Sequence, residues 1–136
     1  MKYPALLKNN LPEIATLFIA AAIAIWLQTL ADNLYDVDAY YHMAVTGFIK
    51  EHGPLHAFPW AQFSVMKTFY SDKDFLFHLA ALPFSWIFSN PIIAGKATVV
   101  FFNVVFAGAL VYILRKTPAK PIIPFIMLPL LATTPF

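Results

Sequence analysis

The 136-residue chain is one small domain's worth of length, yet 60% of its residues are hydrophobic and 12% are charged, where soluble domains carry about half and about a quarter. With a mean hydropathy of +0.69 and 14 Phe, its apolar surface exceeds what so small a core can bury, so lipid is expected to supply the remaining burial. A net charge of +2 with no basic cluster beyond Arg115, Lys116 and Lys120 excludes a nucleic-acid footprint, and the absence of cysteine excludes disulfides, thiolate metal sites and Cys nucleophiles.

The first apolar run, Ile14 to Ala31, has 18 residues and as a helix would be about 27 Å long, close to a ~30 Å hydrocarbon core. With its lead-in it predicts a span over 12–31, preceded by the basic positions Lys2 and Lys8 and carrying Trp26 toward the far end, where an aromatic belt belongs. Thr29-Leu30-Ala31 would also serve a signal peptidase, but the run is long for a signal and further apolar segments follow. A second span is predicted over 95–114, closed by Arg115-Lys116-Thr117-Pro118, and a third, truncated one over 121–136. Phe75 to Ser89 would reach only ~22 Å and holds His78 and Pro83, so it is expected to be interfacial or buried in protein rather than spanning. That choice gathers Lys2, Lys8, Arg115, Lys116 and Lys120 on the cytoplasmic side and leaves the loop 32–92 outside.

This outer loop holds six of the seven acids, namely Asp32, Asp36, Asp38, Glu51, Asp72 and Asp74, against three lysines. Gly53-Pro54 stops a helix expected to start at Ala39, with Asp38 as its cap. On that helix Asp38, His42, Thr46 and Lys50 would form a polar ridge, and Tyr41, Ala44, Val45 and Phe48 an apolar stripe laid along the membrane surface. A carboxylate and an imidazole one turn apart reach one cation, and such mixed sets suit Mn²⁺, Zn²⁺ or Fe²⁺ better than Ca²⁺. Asp36, Asp38 and His42 are therefore candidate metal ligands; the plainer reading makes Asp38 a cap and Asp36 a solvated acid.

A second string, Asp72-Lys73-Asp74-Phe75-Leu76-Phe77-His78, repeats the pattern Asp-x-Asp-x-x-x-His of Asp36 to His42. Ser71 followed by Asp74 reads as a variant capping box. The sharper expectation is that both strings converge on one outer cleft, with Asp38 as ligand or base and Asp74 or His78 in support. Phe58-Pro59-Trp60 and Tyr70 read as interface anchors, or as groups that stack on a sugar ring or cover a lipid phosphate.

Asp36-Val37-Asp38-Ala39-Tyr40-Tyr41-His42-Met43, directly after a first membrane helix, resembles the first-loop acidic motif of oligosaccharyltransferase catalytic subunits, chiefly the archaeal and bacterial forms, within the GT-C class of membrane glycosyltransferases. The order of Gly53-Pro54, the Phe-Pro-Trp loop, Asp74-Phe75-Leu76-Phe77-His78-Leu79, Gly95-Lys96 to Lys116, and Leu131 to Pro135 is similar to that class over almost the whole chain. The resemblance implies an all-α membrane protein, the N-terminal part of a GT-C fold, with three transmembrane helices and a long outer loop carrying surface helices. It implies a multi-pass protein of the cell (inner) membrane with a cytoplasmic N-terminus, which transfers a sugar or glycan from a polyprenyl-phosphate or pyrophosphate donor to a protein or lipid-glycan acceptor outside. The last Asp of the motif, Asp38, takes the catalytic and metal-binding place, with a divalent cation, Mn²⁺ or Mg²⁺, as the implied cofactor; Asp36 matches a position that varies between subfamilies.

Tyr41, Trp60, Asp74, His78 and Lys96 are the candidate substrate contacts, Lys96 as a partner of the lipid phosphate unless it only snorkels. The family's second acidic motif and its acceptor-reading domain fall beyond Phe136, so this chain alone is expected to be inactive. The rival reading is a small non-catalytic membrane subunit with a structural acidic loop. An ion-handling protein would need acids inside its spans, and the apolar runs Ile14 to Ala31 and Ala97 to Leu114 have none.

Overall fold

The computed structural model describes residues 5–58 and 60–118, with side chains from Leu11 onward except that of residue 12. The described chain is helical throughout, with α1 (Ala5–Thr29), α2 (Val37–His52), a short 3-10 turn (Val65–Lys67), α3 (Phe75–Ile87) and α4 (Pro91–Leu114), and contains no strand among the described residues. The truncated span predicted over 121–136 lies outside the described residues. Two compact units emerge, Met1–Asp32 with Val99–Phe136, and Asn33–Thr98.

In the first unit the buried residues of α1 are Thr16, Ala20, Ala24 and Gln28, one every turn along a single face. Ala20 meets Ala107 and Val111 of α4, and Leu17, Ile23, Leu110 and Leu114 pack around them. Phe18, Ile19, Ile25 and Trp26 point outward and are exposed. Small side chains inside and large apolar ones outside reverse the pattern of a helix solvated by water. The helix begins before the predicted 12 and ends two residues before the predicted 31, where Thr29 Oγ1 donates to Trp26 O (2.7 Å) and Leu30 N tightens onto Leu27 O (3.2 Å).

Among the described residues α4 is the one helix long and apolar enough to cross a membrane; its 24 residues extend about 36 Å. It starts at Pro91 rather than at the predicted 95, because Asn90 caps it: Asn90 Oδ1 accepts from Ile92 N (2.8 Å) and Ile93 N (3.4 Å). Pro91 then occupies the first helical position, where its missing N–H would have had no partner. Two polar side chains within α4 bond to its own backbone, Thr98 Oγ1 donating to Ala94 O (2.8 Å) and Asn103 Nδ2 to Val99 O (3.1 Å).

The second unit is built on α2 and α3. His42 pairs with His78, and eight residues later Lys50 pairs with Ser85, so the two helices advance in the same direction. Parallel neighbours cannot be joined by a short turn, because the chain must travel back along α2, a distance of about 24 Å. The segment 53–74 makes that return. It leaves α2 at Gly53, whose positive φ of 80° and bond to Ile49 O (2.9 Å) end the helix where the sequence predicts. On the way Phe58 N donates to Met66 O (2.8 Å) and Tyr70 N to His56 O (2.9 Å), which closes the segment on itself.

Val45, Ile49 and Leu82 form the core between α2 and α3, with Tyr41, Leu55, Phe58 and Phe75 packed against them. Buried Gly95 admits a close approach: a Cβ there would stand 3.0 Å from Leu34 Cδ2 and 3.1 Å from Met43 Cγ. The polar ridge predicted on α2 is in large part the contact side. Thr46 is fully buried, and His42 and Lys50 bond to α3, whereas Ala44 of the predicted apolar stripe is exposed. Polar side chains can take the inner face because partners on α3 and on the α2 backbone satisfy them; Thr46 Oγ1, for example, donates to His42 O (2.8 Å).

Candidate functional site

The two Asp-x-Asp-x-x-x-His strings share a local device. Asp36 Oδ1 accepts from Asp38 N (3.2 Å) and Asp72 Oδ1 from Asp74 N (3.0 Å), each closing a turn two residues on. In the first string this turn is the helix start itself: α2 begins at Val37 with Asp36 as its cap, which corrects the expectation of a helix from Ala39 capped by Asp38. Val37 disguises the start, since a β-branched residue between two acids reads as extended chain. Asp38 thus lies in the first turn, exposed, where a negative charge suits the helix dipole.

In the second string α3 begins at Phe75 and its capping position, Asp74, makes no side-chain cap bond. The capping box predicted from Ser71 does not form, because the Asp72 carboxylate takes the turn at Asp74 N instead. Asp72 then uses its second oxygen inward. Its Oδ2 accepts from His78 Nδ1 (2.6 Å), and the His78 and Asp72 side chains are 0% and 6% exposed. From the other ring nitrogen, His78 Nε2 lies 2.9 Å from His42 Nδ1.

The result is a continuous chain, Asp72, His78, His42, running from a loop carboxylate through α3 to α2. Its proton positions follow from the carboxylate. Asp72 accepts, so His78 Nδ1 carries hydrogen; with His78 neutral its Nε2 is then a lone pair, and His42 Nδ1 must donate. His42 Nε2 makes no hydrogen bond among the described residues, and the His42 residue is half-buried. Burial, then the neighbouring His78, push the His42 pKa down, while Asp74, Asp38 and Asp72 pull it up.

Aromatic rings wall this chain. His42 meets Phe77 edge-on at 5.0 Å and Tyr41 at 5.4 Å. Tyr41 OH lies 2.6 Å from Tyr70 OH, and burial followed by this bond pushes the Tyr70 pKa up. Phe58 stacks on Tyr70 (5.1 Å), and Trp60 stands edge-on to both Phe48 (4.3 Å) and Phe58 (4.8 Å). Trp60 remains half exposed at 51%, so one side of this aromatic run is open.

Of the candidate residues, the fold brings together Tyr41, His42 and His78, with Asp38 and Asp74 near enough to act on the His42 charge. Trp60 joins through Phe58, and Lys96 lies half-buried on the second turn of α4. Within the candidate ligand set Asp36, Asp38 and His42, one oxygen of Asp36 and one ring nitrogen of His42 are already engaged. No group of three or more His, Asp or Glu is gathered for a metal among the described residues. Sequence reasoning passed over Asp72 as a site residue. The six-residue offset between Asp and His, present in both strings, was the available signal. No protein-family model, curated protein or solved structure matches the chain.

Proposed function

We propose that the chain carries the first outer loop of a GT-C membrane glycosyltransferase of the oligosaccharyltransferase kind, acting on a polyprenyl-linked sugar or glycan at the outer face of the cell membrane. The observation that carries this reading is the meeting of the two acidic strings, with His42 2.9 Å from His78 and Asp38 one turn before His42 on the same helix. Displacing a lipid phosphate from an anomeric carbon requires an acceptor held and relieved of its proton, and positive charge at the leaving group. In this reading exposed Asp38 orients the acceptor, Trp60 and Tyr41 offer faces for a sugar ring, Asp74 and His78 support the pocket, and Lys96 meets the phosphate. The acceptor is a protein or a lipid-linked glycan. α1, α4 and the segment 121–136 are the three spans, with the N-terminus in the cytoplasm and 32–92 outside.

The test uses the full gene product in native membranes. Transfer of label from a polyprenyl-linked donor should fall by about a hundredfold or more in Asp38→Asn and stay unchanged in His52→Ala, whose side chain meets solvent. Because the chain has no cysteine, a single Cys placed at exposed Phe63 reports the side directly. Labelling of intact cells by an impermeant maleimide is expected, and labelling only after lysis overturns the topology.

A second reading, a non-catalytic membrane subunit, draws on the fact that Asp36 and Asp72 are both spent on local structure. Full transfer by Asp38→Asn would favour it.

A further inference from the structure

The buried pair Asp72 and His78 has no task in binding a substrate directly, since neither side chain is more than 6% exposed. Burying a carboxylate and an imidazole is unfavourable unless each is fully partnered, and here each is. The three-membered chain is directional, because its inner end accepts and its outer end is a ring nitrogen with no hydrogen bond among the described residues, on a half-buried side chain.

We propose that Asp72 and His78 are positioning residues that hold His42 with hydrogen on Nδ1 and a bare Nε2, making His42 the proton acceptor for the incoming nucleophile. The hydrogen-bond chain stands on its own geometry, and the nucleophile's identity, an O–H or N–H group of the acceptor, rests on the transferase reading above. As that group bonds to the anomeric carbon, the carbon–oxygen bond to phosphate breaks and its electron pair leaves with the phosphate. The nucleophile's proton goes to His42 Nε2. The hydrogen on His42 Nδ1 then shifts across 2.9 Å to His78 Nε2, and the positive charge rests beside the Asp72 carboxylate, which itself stays ionised. The charged groups facing His42 are Asp38 from α2, His78 from α3, and Asp72 and Asp74 from the turn before α3.

The test is nitrogen NMR of the whole chain in detergent micelles, with labelled histidine, at a pH where imidazole is neutral. His42 should show a protonated Nδ1 and a bare Nε2, and so should His78. A His42 carrying its hydrogen on Nε2 in the wild type overturns the proposal. In Asp72→Asn the side-chain amide can donate to His78 Nδ1, so both rings should reverse, whereas Asp74→Asn should leave them as they are. Unchanged rings in a folded Asp72→Asn variant also overturn it; if that variant does not fold, the wild-type spectrum decides. In the full gene product, His42→Gln should lose transfer by about a hundredfold. Full transfer by His42→Gln overturns the acceptor role, while an inactive wild type with the stated tautomers overturns the transferase reading and leaves the hydrogen-bond chain standing.

Discussion

Lys50 closes the last turn of a helix other than its own: its Nζ donates to the carbonyl of Ser85 at 2.8 Å. Ser85 belongs to the final turn of α3, whose carbonyls have no helical N–H ahead of them, and the neighbouring Phe84 O is met by Phe88 N (2.8 Å). A cation at that end also opposes the negative pole of the helix. Lys50→Met keeps the aliphatic stem and removes the donor, and should lower stability by about 1 kcal/mol. Thermal unfolding in detergent, followed by circular dichroism, measures it; an unchanged midpoint would mean that water replaces Lys50 without loss.

Asp36 and Asp38 should separate cleanly when each is replaced. Asp36→Ala removes the cap of α2 and is expected to destabilise by about 1 kcal/mol, with faster amide exchange in the first turn. Asp38→Ala removes an exposed first-turn charge and should cost about 0.5 kcal/mol or less. Equal losses would place the cap elsewhere.

Much of this arrangement could be read from the sequence where a local rule governs. Gly53 ends α2 as expected, because no other residue type adopts its backbone angle so easily. Helix α4 begins four residues before the span expected from 95, because Asn90-Pro91 is a cap followed by a first-position proline and hydropathy marks only the apolar part of a helix. That the two acidic strings meet was legible as a repeat. How they meet was not, because the His42 to His78 pairing joins residues 36 apart on two helices, and the shared six-residue Asp-to-His offset hinted only at the local Asp72 to His78 bond. The parallel course of α2 and α3 is likewise a consequence of long-range pairing that hydropathy does not encode.

Stability should respond to pH through His42. Burial and His78 hold this imidazole below its ordinary value of 6.5, outweighing Asp74, Asp38 and Asp72. A base depressed in the folded state binds fewer protons there than in the unfolded chain, so stability is level above 6.5 and declines as pH falls from there toward the folded value. Thermal midpoints at about pH 8 and about pH 5 should show the decline, and His42→Asn should flatten it. A midpoint that rises on acidification would contradict the placement of His42 against His78.

Two helical glycines predict opposite results. An added Cβ at Gly47 meets nothing within 4 Å, so Gly47→Ala should stabilise α2 by about 0.5–1 kcal/mol through the backbone alone. At Gly95 the same methyl would press on Leu34 Cδ2 at 3.0 Å and Met43 Cγ at 3.1 Å. The helix-propensity gain is then offset by crowding of about 1–3 kcal/mol, and the variant should be neutral or destabilised. Chemical denaturation of the two variants side by side decides, and a stabilised Gly95→Ala would mean that the Met43 side chain swings aside freely.

The return segment is closed on itself at its base, and of its tip Trp60 packs on Phe48 of α2. Phe58 joined to Met66, and His56 joined to Tyr70, staple the two arms of that excursion at its base, while Phe63 and Val65 beyond the staples, and Phe69 between them, stand 73% to 105% exposed. Exposed positions such as Phe63 and Val65 can therefore be exchanged without moving the buried carboxylate and imidazole that follow. The protein thus has an exposed surface that can change through mutation while the buried Asp72 and His78 pair is inherited intact.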